Sequence, residues 1–172
     1  IKQIENLVNE FSDFARMPKP ILKHNDLIKV LKENIQLLSQ MDKTIKIDFH
    51  SHNDKILLNC DKEQLARVFF NLIKNSIESI QQKSEKNPNF DKKISIEIFK
   101  KDNHIYFILV DNGIGFDKIN VDFKEILKPY FTTKKNGTGL GLSIVSKIIN
   151  DHNGELNFIS LSDGARVEII FR

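Results

Sequence analysis

The sequence predicts an α+β fold in two layers: a mixed, mostly antiparallel sheet covered on one face by three helices, with a further helix at the N-terminus. Three observations carry this. Apolar residues repeat with a period of two in several short segments and with a helical period in the longer ones. The last four strand-like segments form two hairpins with a helix between them. Uninterrupted β-α-β alternation is absent, which argues against a doubly wound parallel sheet.

The elements follow in order. Ile4, Leu7, Val8, Phe11, Phe14 and Ala15 recur at helical spacing, and "MPKP" at 17–20 stops that helix because proline cannot continue the hydrogen-bonded ladder. A lone amphipathic helix is marginal in water, so this one requires a partner. Because Ile1 already falls in the helical pattern, the expectation is a piece of a longer protein. Asp26 is placed to cap a helix running to about Ser39 with Leu27, Val30, Leu31, Ile35 and Leu38 on its apolar side. "TIKIDFH" from Thr44 and "KILLN" at 55–59 read as strands. Asp61 caps a long helix to about Gln82, with Leu65, Val68, Phe69, Leu72, Ile73, Ile77 and Ile80 as its stripe. The polar segment 81–93, which holds Pro88, reads as a loop. Strands at 93–100 and 104–111 meet at Asp102-Asn103, a helix runs from the "GTGLGL" segment to about His152, and strands "ELNFIS" and "ARVEIIF" flank Ser162-Asp163-Gly164.

Composition excludes several classes. With 172 residues, 40% of them hydrophobic, the chain can bury a sizeable core. The net charge of +3 is spread over small lysine clusters and forms no basic stripe, so nucleic-acid binding is not expected. The single cysteine, Cys60, permits no intrachain disulfide and reads as a small core residue. His50 and His52 have no carboxylate arrangement suggesting a metal centre. No run approaches the roughly 20 apolar residues needed to span a bilayer, so the segment itself requires no membrane contact.

Four local patterns carry chemistry. In "NLIKNSIES", Asn71 and Asn75 share one face of the long helix, and an amide oxygen can ligate a hard cation without adding charge. Lys74 has the reach to meet phosphate oxygens. Polar side chains in so apolar a stretch need partners. In "DNGIGF", Asp111 ends a strand, and Gly113 and Gly115 allow a tight turn with close backbone approach to a ligand. "PYFTTKK" at 129–135 is a loop with an aromatic pair and two lysines. In "GTGLGLSIVSKII", Gly137, Gly139 and Gly141 leave backbone N–H groups free where a helix begins, a ready phosphate site, and Thr138 adds a hydroxyl. Leu140, Leu142, Ile144, Val145, Ile148 and Ile149 supply the buried face behind it. Other glycine motifs do not fit. A P-loop would need a Gly-Lys before its Ser or Thr, and a Rossmann turn would need glycine where Leu142 stands.

In this order, the four patterns resemble the nucleotide-binding domain of the histidine kinases and their gyrase, Hsp90 and MutL relatives, a Bergerat-type ATP-binding fold. The match covers about residues 25–171, and the wording is closest to nitrogen-regulation sensor kinases. "LVNEFSDFARMPKP" looks like the end of a dimerisation-domain helix, so residues 1–20 are assigned to that helix and linker and 21–172 to the catalytic domain. The resemblance implies ATP and Mg²⁺ as ligands, with Asn75 holding the metal and Asp111 accepting a hydrogen bond from the adenine amino group. It implies that Asn71 and Lys134 serve catalysis and that Phe131 packs the lid against the domain. Nucleotide contacts are implied for Asn71, Lys74, Gly113, Gly115, Phe131, Thr133 and Lys134, and for the run Gly137, Thr138, Gly139, Leu140, Gly141 and Leu142.

Hydrolysing relatives place glutamate where Asn71 stands, and an amide is a poor base for activating water. The resemblance therefore implies a kinase that transfers the γ-phosphoryl group to a histidine of the dimerisation domain. An ATPase or a non-catalytic binding module of the same fold is the alternative. None of His24, His50, His52, His104 or His152 has the acceptor context, so the acceptor is expected outside this segment. The whole protein is expected to be a homodimer that passes phosphate to a response-regulator receiver domain. Its catalytic part is expected in the cytoplasm of a bacterium, anchored to the inner membrane. Two departures stand out. Ala165 follows Gly164 where a hydroxyl residue is frequent, and Glu78 occupies a position where many kinases have a basic or other polar residue; it either helps a metal or its waters or faces solvent, the reading favoured here.

Overall fold

The computed structural model describes Ser12 and residues 17–116, 123–134 and 137–172. The N-terminal helix expected over 1–17 lies outside the described residues apart from Ser12 and Met17, as do Lys135 and Asn136 of the glycine-rich loop.

Among the described residues, seven strands and four helices follow one another after Pro20: β1 (Lys23–Asp26), α1 (Leu27–Leu38), β2 (Lys46–Ser51), β3 (Leu57–Cys60), α2 (Lys62–Lys86), β4 (Lys93–Lys101), β5 (His104–Asp111), the single turn α3 (Phe123–Ile126), α4 (Gly141–Asp151), β6 (Glu155–Ser160) and β7 (Ala165–Phe171). Five strands make the main sheet in the order β2-β4-β5-β7-β6. Only β2 and β4 run parallel; the other neighbours are antiparallel. This is the mixed, mostly antiparallel sheet expected from the sequence.

Alternation decides which face is covered. Ile94, Ile96 and Ile98 of β4, Ile105, Phe107 and Leu109 of β5, and Val167, Ile169 and Phe171 of β7 are buried. They meet the apolar stripes of α1, α2 and α4, including Leu31, Phe69, Ile73, Ile77, Val145 and Ile148. Phe69 and Phe107 have ring centroids 5.0 Å apart, so α2 is seated on the central strand. Burial of this continuous apolar surface is what makes the two layers stable. The β4–β5 turn places Asp102 and Asn103 at φ +49° and +64°, the left-handed pair that matches the twist of a two-residue hairpin.

Two elements differ from the expectation. β1 is a strand the sequence did not announce. It pairs antiparallel with β3 as a separate two-stranded ribbon, with Lys23 opposite Cys60, so β3 is not part of the main sheet. α2 continues past Gln82 to Lys86, because nothing in Lys83-Ser84-Glu85-Lys86 breaks a helix before Asn87-Pro88. That extra turn is held by Lys83, whose ammonium donates to the Asn112 carbonyl at 2.7 Å, pairs with Asp163 and lies over the Phe90 ring.

Asp61 fixes the start of α2. Its carboxylate caps the helix by accepting from Gln64 N at 3.1 Å and holds the incoming chain by accepting from Ile21 N at 2.9 Å. Its own N–H donates to Nε2 of His152, at the end of α4. Burial works against its charge, but the N–H groups of Ile21, Gln64 and Glu63 outweigh it and hold the carboxyl below its usual range. Cys60 is fully buried, and burial pushes its thiol up to about 11.

Candidate functional site

α2 carries the site. Along one stretch it presents Asn71, Lys74, Asn75, Ser76, Glu78 and Ser79. Asp111 stands opposite, at the end of the central strand β5, between Ile94 of β4 and Ala165 of β7. It is only 4% exposed, so its carboxylate needs partners, and it has two. Ser76 Oγ donates to Oδ2 at 2.8 Å and Gly113 N donates to Oδ1 at 2.9 Å. Burial raises its pKa above the usual carboxylate range, against the opposing effect of those two donors and of Lys83.

The turn after Asp111 is built for close approach. A Cβ on Gly113 would meet Ser79 Oγ at 2.2 Å, and Ser79 Oγ accepts from Ile114 N at 3.1 Å. Gly115 has φ +71°, and its Cα faces the Gly164 carbonyl so closely that a Cβ would lie 2.6 Å from it. Asn112 locks the turn to β4: its Oδ1 accepts from Lys93 N at 2.9 Å.

Asn71, Asn75 and Glu78 of α2 face residues 128–134 and 137–141. Asn71 Nδ2 donates to the Arg67 carbonyl at 2.9 Å, leaving Oδ1 facing Gly141, where a Cβ would stand 3.3 Å away. Asn75 Oδ1 accepts from the Lys134 ammonium at 2.9 Å. The same ammonium pairs with Glu78, and Lys74 lies 3.8 Å from the other Glu78 oxygen. Glu78 stays partly exposed at the surface, between these two lysines. Lys74, expected to serve phosphate, stands beside Glu78.

The glycine-rich segment is tightly folded. Gly139 has φ +71°, and its carbonyl accepts from Tyr130 N at 3.0 Å. Gly137 N donates to the Lys134 carbonyl at 3.1 Å, and a Cβ there would strike Thr132 Oγ1. α4 begins at Gly141 behind Leu140, which is fully buried and provides no side-chain cap, so no cap side chain fills the end of the first turn. The Thr138 hydroxyl accepts from Leu140 N at 3.4 Å rather than pointing away from the loop. Phe131 and Leu142 pack half-buried against the core, whereas Thr133 is exposed.

Thus Asn71, Asn75, Lys134 and Gly141 meet at one part of α2, and Asp111 and Gly113 meet the next turns through Ser76 and Ser79. Ser76, Ser79 and Lys83 were not singled out in the sequence. Their signal was available: Ser76, Ser79 and Lys83 recur at i, i+3 and i+7, one polar line along an otherwise apolar helix. Among the described residues no cluster of three metal-ligating His, Cys, Asp or Glu side chains occurs, and no helix is long and apolar enough to cross a membrane.

The family model for "Histidine kinase-, DNA gyrase B-, and HSP90-like ATPase" matches residues 60–172. An NtrY-like sensor histidine kinase of Rickettsia felis is 32% identical over 169 residues, which is 98% of this chain and 27% of the relative. The chain therefore spans about a quarter of the length of such relatives. The catalytic domain of histidine kinase ThkA superposes with a TM-score of 0.74 at 24% identity, covering 87% of this chain and 96% of that one. ThkA in complex with the response regulator TrrA gives 0.77 at 18% identity over 99% of this chain and 47% of that one. These two likenesses concern the fold. The chain belongs to the histidine kinase-, DNA gyrase B- and HSP90-like ATPase family, as an ATP-binding domain homologous to the catalytic domains of histidine kinases.

Proposed function

We propose that this chain positions Mg²⁺-ATP as the phosphoryl donor of a sensor histidine kinase. The observation that supports the reading is that α2 alone links Asp111, through Ser76, to the Asn75–Lys134 pair and to the start of α4. One pocket along that helix would place a base at Asp111 and phosphates at the other end.

Asp111 would accept from the adenine amino group. Guanine presents a carbonyl there, and two acceptors facing one another repel. The first-turn amides of α4, with Gly137, Thr138, Gly139, Leu140, Gly141 and Leu142 around them, would hold phosphate oxygens at the positive end of the helix dipole. Gly113 and Gly115 would admit the nucleotide close to the backbone. Phe131, Thr133 and Lys134 complete the set, with Lys134 reaching the terminal phosphate and Lys74 staying beside Glu78. Asn75 offers an uncharged amide oxygen, the ligand type a hard cation takes, and that oxygen now accepts from the Lys134 ammonium. Mg²⁺ held there would neutralise charge on the phosphates as the γ-phosphoryl group leaves.

Asn71 supports transfer over hydrolysis, because its amide cannot take a proton from water, and its Nδ2 is engaged by Arg67 O. The reaction breaks the bond between the γ-phosphorus and the bridging oxygen of ATP and forms a bond from phosphorus to a histidine nitrogen, releasing ADP. The acceptor belongs to a dimerisation domain, of which residues 1–20 form the last part and linker, with 21–172 as the catalytic domain. In the whole protein, a membrane-anchored homodimer with this domain in the bacterial cytoplasm, phosphate passes on to a response-regulator receiver domain.

Calorimetric titration tests the pocket. ATP should bind only weakly without Mg²⁺ and GTP should bind less tightly than ATP. Asp111→Asn should weaken ATP roughly ten- to hundredfold, as expected for losing a hydrogen bond to a charged group. Equal affinity for ATP and GTP, unchanged in D111N, would end the proposal. Radiolabelled ATP should leave no acid-labile, base-stable label on the isolated chain.

A further inference from the structure

Asn75 and Glu78 are three residues apart on α2, so their side chains leave the same face of the helix. Both accept from a single ammonium. Lys134 Nζ is 2.9 Å from Asn75 Oδ1 and is paired with Glu78 Oε2. The second oxygen of Glu78 faces Lys74 Nζ at 3.8 Å. One carboxylate is therefore shared by two cations, and one of those cations also sits on the amide oxygen best suited to a metal.

Two exclusions follow. An ammonium and a divalent cation repel, so Asn75 Oδ1 cannot serve both. A lysine tip is a point charge on a long stem, and strong pairing with a phosphate takes it away from a carboxylate. We propose that Glu78 is a positioning residue that seats Lys134 on Asn75, and that Lys134 exchanges Glu78 for phosphate as Mg²⁺-ATP enters. This deepens the ATP reading above and rests on it. Lys74 is the reason the exchange leaves no isolated charge. It already lies beside Glu78 and stays there when Lys134 departs, so the carboxylate does not face the triphosphate unneutralised. The exchange makes and breaks ion pairs only. It also sets an order: the phosphates draw Lys134 away before a metal reaches Asn75, so free Mg²⁺ has no tight site of its own.

The test is a double-mutant cycle on the 172-residue chain, using Mg²⁺-ATP titration of wild type, E78Q, K134A and E78Q/K134A, with thermal unfolding as a check on folding. Glu78 and Lys134 have side chains 31% and 38% exposed, so neither substitution breaks the core. E78Q should bind Mg²⁺-ATP about two- to fivefold more tightly, the ratio typical of releasing a partly exposed ion pair. In the K134A background that gain should fall by at least half. An NMR signal from the Lys134 ammonium should be visible in wild type and lost in E78Q, a change that general loosening of the fold would not confine to one lysine. Unchanged or weaker binding by E78Q, with normal ATP binding by wild type, overturns this proposal and leaves the ATP reading standing. An equal gain with and without Lys134 also overturns it, because the carboxylate then only repels phosphate. Failure of wild type to bind ATP, with D111N indistinguishable from it, overturns both.

Discussion

Ser76→Ala removes one hydroxyl from the middle of α2, and its cost should depend on pH. Ser76 Oγ donates to Asp111 Oδ2 at 2.8 Å in a site where the carboxylate is 4% exposed. Water cannot readily replace the donor, and among the described residues Gly113 N remains as the hydrogen-bond partner of the carboxylate. A hydrogen bond to a charged group contributes about 1.5–3 kcal/mol, and one to a neutral group about 0.5–1.5 kcal/mol. S76A should therefore destabilise the fold by about 1.5–3 kcal/mol where Asp111 is ionised, and by roughly half as much where it is protonated. The sign follows from linkage. Burial raises the native pKa of Asp111 above its unfolded value, so the native state takes up its proton first as pH falls. This group alone favours folding below its unfolded pKa and loses that contribution as pH rises through the native one. The S76A penalty must run the opposite way, largest above the native pKa and shrinking below it. Urea unfolding of both proteins over a pH series from neutral down through the acid range measures it, with equal slopes required for comparison. A penalty that stays flat across the series, or grows toward acid, would refute the idea that Ser76 stabilises a charged Asp111.

Two further outcomes are expected. Gly164→Ala should be severe, because a Cβ there would lie 1.8 Å from the Asp111 carbonyl and 2.7 Å from Asn112 Cα at φ +100°. We expect a loss of at least about 2 kcal/mol in urea unfolding, and weakened ATP binding, since the backbone that must shift is that of Asp111 itself. Cys60 should resist iodoacetamide: its thiol is buried and pushed up to about 11, so the reactive thiolate is scarce and covered. Labelling should proceed only through opening of the fold and should accelerate in S76A; reaction at the rate of a free thiol in native buffer would contradict the burial.

Much of this was legible in the sequence because burial leaves a periodic imprint. The alternation in β4, β5 and β7 and the stripe of α2 located the sheet and its covering layer, and the "DNGIGF" and "GTGLGL" turns located the ends of the site. What was not legible lacked an apolar imprint. Lys23-His24-Asn25-Asp26 contains no alternation, and β1 exists because its backbone pairs with β3, a partner more than thirty residues away. Ser76 and Ser79 read as small helix residues until Asp111 and Ile114 are brought to them. Glu78 looked like surface charge because its partner Lys134 comes from a loop fifty-six residues further on. These are tertiary facts, and a local pattern does not encode them.

Asp111 ends the middle strand of a five-stranded sheet, flanked on both sides by paired backbone. Amides in such a strand exchange with solvent through global opening, whereas those near Tyr130 and Gly137 are tied by a few turn bonds. The domain thus has a floor as durable as the protein itself and a rim that can yield on its own. Evolution or an inhibitor can retune the rim without cost to folding, while any change to the floor is felt first as lost protein and only then as lost binding.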